Sequence, residues 1–146
     1  MKIRRSAGLA AALLATGLAL AQTAAVGPLL PDQLHWVNAP GLPGVRVTWV
    51  AGAEKTPGLY GQRVILLKGT RIPPHTHPDT RYSTVLSGTL LVGFGSRADD
   101  AALVAIPPGG VYIAPAGTPH FLWARDGEVT YQEAGIGPTA TVMLPP

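Results

Sequence analysis

From Gly44 onward, glycine and proline cut the chain into apolar runs too short for anything but single passes across a small sheet. The runs are VRVTWV (45–50), YGQRVILLKG (60–69), RYSTVL (81–86), TLLVGF (89–94), AALVAI (101–106), VYIAP (111–115), HFLWA (120–124), VTYQEA (129–134) and TATVML (139–144). Val, Ile, Leu, Thr and Tyr fill them, residues that suit a pleated, half-buried surface. Evenly spaced strands with turn signals between them predict an all-β antiparallel sandwich or barrel over 44–146. No second composition regime, internal repeat or low-complexity tract interrupts it.

Helical periodicity is confined to the N-terminus. Lys2, Arg4 and Arg5 precede an apolar run from Ala7 to Leu20, which closes on the small triplet Ala19-Leu20-Ala21. That order of charge, apolar core and Ala-x-Ala predicts a signal peptide over 1–21, cleaved before Gln22. The run is shorter than the roughly 20 apolar residues of a membrane span, so the expectation is an exported protein, periplasmic or secreted, with no membrane attachment after cleavage. Removing 21 residues leaves 146 − 21 = 125, and removes three of the 11 basic residues, so 11 − 3 = 8 stand against 8 acidic ones. A neutral mature domain carries no electrostatic footprint for nucleic acid or anionic lipid. Cysteine is absent, so stability rests on core burial or a bound metal. Residues 22–43, with Pro28, Pro31, Pro40 and Pro43, read as an extended N-terminal arm. His35 and Trp36 in that arm are expected to cover a sheet edge or a second subunit of a homodimer.

The stretch GTRIPPHTHPDTRYSTVLSG (69–88) carries two histidines one residue apart. Side chains alternate across a strand, so His75 and His77 face the same side if the segment is extended, as the residue before Pro78 is biased to be. His120 follows a Pro and Gly turn far along the chain and supplies a remote third imidazole. Two near ligands and one distant one make a metal site for Zn, Fe, Cu or Ni. Against this stands the plain alternative that a His-x-His pair is a surface accident.

The spacing Gly69, His75, His77, Arg81, Gly88 resembles the first motif of the cupin family, Gly-x5-His-x-His-x3-Glu-x6-Gly, with Arg81 in place of the Glu. Gly109, Pro115-Ala116-Gly117 and His120 resemble its second motif, Gly-x5-Pro-x-Gly-x2-His-x3-Asn, with Ala124 in place of the Asn. Twenty residues, 89–108, separate the two. The resemblance implies a jelly-roll barrel and, in the family, a metal held by the histidines with the Glu as fourth ligand. It does not fix a reaction, because cupins include dioxygenases, isomerases, decarboxylases, sugar-binding regulators and storage proteins.

Arg81 cannot coordinate a metal. Three arrangements follow. The histidines hold the ion alone and Arg81 clamps an anionic substrate; or Asp79, which shares the parity of His75 and His77, replaces the missing acid; or the guanidinium excludes metal and the barrel binds a small molecule without it. Beyond His120, ARDGE (124–128) predicts a hairpin. A register pairing Ala124 with Glu128 puts Phe121, Trp123, Val129 and Tyr131 on one face and sets Gln132 beside His120 as an orienting or ligand-contacting residue. The alternative register puts Glu133 there. Tyr82 and Tyr112 read as packing residues with a wet hydroxyl, and Asp99-Asp100 as a solvated loop.

The sequence therefore predicts an exported single-domain cupin that binds one divalent ion (Fe, Zn, Mn, Cu or Ni) through His75, His77 and His120, and a small polar or anionic molecule in the barrel. Metal-dependent, dioxygenase-like oxidation is the enzymatic reading, and a metal-free binding or sensor barrel the rival.

Overall fold

The computed structural model describes residues 27–145; the expected signal segment and residues 22–26 lie outside them. Among the described residues eleven strands form: β1 (Val37–Asn38), β2 (Val45–Ala51), β3 (Gly58–Leu66), β4 (Arg71–Thr76), β5 (Arg81–Ser87), β6 (Leu90–Phe94), β7 (Val104–Ile106), β8 (Val111–Ala114), β9 (His120–Trp123), β10 (Val129–Gly137) and β11 (Val142–Met143). A six-stranded sheet runs β1-β2-β3-β10-β5-β8 and a five-stranded sheet β11-β4-β9-β6-β7, with every described pairing antiparallel. The two sheets face each other as a jelly roll.

Alternation drives the packing. Along β5, Arg81, Ser83 and Val85 are buried while Tyr82 and Leu86 are exposed; along β10, Val129, Tyr131 and Glu133 point inward. Leu66, Val85, Leu90, Val92, Leu122 and Val129 meet between the sheets in one apolar cluster. Gly88 turns β5 into β6 at φ 73°, where a Cβ would also strike the Glu128 carbonyl at 2.3 Å, so no other residue fits. In the smaller sheet Gly93 lies opposite Phe121, whose ring occupies the space above it.

β4 was absent from the strands expected of the sequence, because Pro73 and Pro74 lack the N–H groups a ladder needs. The chain accommodates them with a bulge: Ile72 pairs with Leu122 and His75 with His120, so three steps on β4 match two on β9. That extra residue changes the parity of the strand. Ile72 and His75, three apart, both face inward, and the bulge is what aims the histidine at the interior.

The expected hairpin between the ninth and tenth strands does not form. β9 pairs with β4 and β6, β10 with β3 and β5, and residues 124–128 carry the chain from one sheet to the other. Ala124 stays with the first sheet through bonds from Gly69 N–H to its carbonyl (2.7 Å) and from its own N–H to Thr70 (2.9 Å). Of the arm, β1 adds to the edge of β2, and Ala39 and Leu42 pack against the core.

Candidate metal centre

His75 is the penultimate residue of β4, His77 follows the strand, and His120 opens β9 directly across the ladder from His75. The two motif loops are tied together by Gly117 N–H donating to the His77 carbonyl at 2.8 Å. The three rings gather with centroids 4.2 to 5.1 Å apart, and one nitrogen from each lies within 4.8 Å of the others. Among the described residues they are the group of three so placed.

The second nitrogen of each ring decides which one is offered. Nδ1 of His75 sits 2.8 Å from the Pro73 carbonyl, Nδ1 of His77 2.8 Å from that of Ala140, and Nδ1 of His120 3.1 Å from that of Thr118. A carbonyl accepts only from a protonated nitrogen, so each Nδ1 carries hydrogen and each Nε2 presents a lone pair. Burial keeps the rings neutral, pushing His75 down to about 4 and His77 to about 2 and lowering His120 as well; the Arg81 charge adds to the effect on all three. Nε2 of His77 is buried without a partner. Three neutral, convergent lone pairs, one of them orphaned, fit a divalent ion of the imidazole-binding group.

Arg81 stands beside this cluster, buried, and already engaged. Its Nη1 donates to Glu133 Oε2 at 2.7 Å, and its Nη2 to Thr139 Oγ1 at 2.8 Å and to the Ala140 carbonyl at 3.3 Å. Burial raises the Glu133 carboxyl, and the guanidinium pulls it back toward ionisation. Asp79 does not join the histidines. It accepts from the Tyr60 hydroxyl at 2.6 Å and from the Thr139 hydroxyl, while burial and that bond push the Tyr60 hydroxyl up to about 12. Asp79, Thr139, Arg81 and Glu133 thus form a polar wall that also fixes the Ala140 carbonyl behind His77.

Gln132 lies on the other face of β10, away from His120, with Oε1 accepting from Arg63 Nε at 2.9 Å. The predicted contact depended on the hairpin that does not form. Glu133 takes the inward place instead, as in the alternative register.

A cavity of about 410 Å³ opens against His75 and His77. Arg81, Glu133, Tyr131 and Thr139 line it on one side, and the arm and strands β2 and β3 on the other.

Residues 62–132 match the sequence profile of the cupin domain, a span that holds all three histidines and Arg81. The chain belongs to the cupin family. It is similar to a germin-like protein of Arabidopsis thaliana (subfamily 1 member 7), 41% identical over 87 residues, or 53% of this chain and 38% of that protein. This cupin thus spans well under half the length of the curated relatives it matches. Among solved structures, the polyketide cyclase RemF from Streptomyces resistomycificus superposes with a TM-score of 0.66 at 16% identity, covering 83% of this chain and 88% of that one. KdgF from Halomonas sp. superposes at 0.59 and 22% identity, covering 74% and 93%. Both share the fold of this chain.

Proposed function

We propose that this cupin is an exported protein that holds one divalent metal ion through Nε2 of His75, His77 and His120 and binds a small polar or anionic molecule beside it. The observation that carries the reading is the shared hydrogen-bond pattern: three backbone carbonyls fix three Nδ1–H tautomers, leaving three lone pairs to converge. With three protein ligands, such an ion keeps positions open for a ligand and supplies Lewis-acid or, if redox-active, oxygen-dependent chemistry. The chain's own contribution is to hold the imidazoles neutral and oriented, and to keep the guanidinium of Arg81 in a fixed place behind them. Export rests on the N-terminal pattern of basic residues, apolar run and Ala19-Leu20-Ala21.

Elemental analysis of protein purified from metal-replete cells tests the reading, with one equivalent of metal expected in wild type and little in His77→Ala. A second reading draws on one observation, the buried cation of Arg81 where the motif carries an acid: a metal-free barrel that binds its ligand without turnover. Absence of metal under replete conditions supports that reading and overturns the first.

A further inference from the structure

The cavity beside the histidines is divided by chemistry. One end carries His75, His77 and Arg81 with Glu133; the opposite wall is mostly aliphatic, with Leu42 of the arm, Val45 and Val47 of β2, Val64 of β3 and Ile72 of β4, and Trp49 and Gln62 closing its far edge. From these two halves we infer that the ligand is an amphiphile, a small monocarboxylate whose head reaches the histidine end and whose unbranched apolar body lies along the valine wall. The inference rests on the metal reading above and adds the substrate class.

Charge selects the head. Arg81 faces two buried carboxylates, Glu133 at 2.7 Å and Asp79 at 3.9 Å, and Glu54, the other carboxylate lining the cavity, lies on an exposed loop. A divalent ion at the histidines outweighs the one carboxylate left over and makes the buried end net positive, which favours an anionic oxygen ligand. Desolvation selects the body. A hydroxyl set against Val45, Val47, Val64 or Ile72 finds only carbon, and burying it without a hydrogen-bond partner is unfavourable. A sugar acid is disfavoured on that wall and a hydrocarbon tail is not. The volume of about 410 Å³ falls among small-molecule sites.

The test is calorimetric titration of the metal-loaded protein with acetate, butyrate, hexanoate and octanoate, and with gluconate as a hydroxylated acid. Affinity is expected to rise by up to about fourfold per added methylene, the gain from burying one such group, with gluconate no tighter than acetate. Leu42→Ser should flatten the rise at unchanged metal content. Val47→Thr, which keeps the volume, should do so in smaller measure and stands in if the arm variant fails to fold. A flat series on metal-replete wild type, or gluconate binding more tightly than hexanoate, overturns the inference and leaves the metal site standing. Protein that takes up no metal overturns the metal reading, and this inference with it.

Discussion

Nη1 of Arg81 lies 2.7 Å from Oε2 of Glu133, both side chains buried, across neighbouring strands of the larger sheet. The acid of the cupin motif is replaced by a cation, and an acid stands on β10 to meet it. Removing one partner strands the other in the interior. Glu133→Gln is expected to destabilise the fold by about 3 to 5 kcal/mol, whereas the paired replacement Arg81→Met with Glu133→Leu recovers most of that loss. Urea unfolding of the three proteins checks it; equal stability of wild type and Glu133→Gln would show that the pair is not formed in solution.

The Nδ1 bonds assign a distinct task to each histidine's backbone partner, yet removal of any imidazole leaves two lone pairs. His120→Ala is therefore expected to abolish stoichiometric metal, and with it the gain in melting temperature that added metal confers on wild type. His35→Ala, in the exposed part of the arm, should change neither. Metal content by plasma emission and thermal scans with and without added ion give the answer, and a normally loaded His120 variant would place the ion elsewhere.

The depressed histidines also set a pH dependence for the metal-free protein. Each is harder to protonate folded than unfolded, so at low pH the unfolded chain binds more protons. Their contribution is complete above about pH 6.5 and is lost as pH falls through the folded values, about 4 for His75 and about 2 for His77. Glu133 acts in the opposite sense, because burial raises its carboxyl, but it is one group against three. Chelator-treated protein should lose at least about 5 °C of melting temperature between pH 6.5 and 4.5, and replacing all three histidines by Gln should flatten that slope. A wild-type melting temperature that holds constant over that interval contradicts the assignment.

What could be read in the sequence followed from local signals. The alternation in RYSTVL puts Arg81 on one face with the buried Ser83 and Val85, and the His-x-His spacing joins His75 to His77 although β4, which carries His75, gives no strand signal of its own. β4 escaped because Pro73 and Pro74 look like a loop, and only the partner strand shows that a bulge absorbs them. Glu133 stood only as the alternative to Gln132, for a different reason. Asp126-Gly127 signals a turn, but nothing local says whether the strands it joins pair with each other or enter opposite sheets. That choice is made by remote contacts, such as Ala124 with Gly69 and Thr70, which hold β9 on the β4 side.

Phe121 lies over Gly93 so closely that a Cβ there would come within 2.1 Å of the ring. Gly93→Ala should cost about 1 to 3 kcal/mol through overpacking, and Phe121→Leu introduced with it should recover part of the loss. Denaturant midpoints of the single and double variants decide; additive losses would show that the ring is free to move aside.

Arg81 also bears on the metal itself, since its charge opposes protonation of the three histidines and must oppose a divalent ion more strongly. Arg81→Glu restores the motif acid but sets it beside Glu133 and Asp79, so the single variant should be unstable without metal. Combining it with Glu133→Gln removes one of those repulsions. The double variant should bind Zn(II) and Mn(II) at least about tenfold more tightly than wild type, because a unit of repulsion is replaced by a carboxylate at the same place. It should also gain more melting temperature from added metal than wild type does. Competitive titration against a chromophoric chelator measures the affinities directly. If wild type and double variant bind equally, the side chain at 81 has no hold on the ion, and the polar wall it belongs to serves the fold alone.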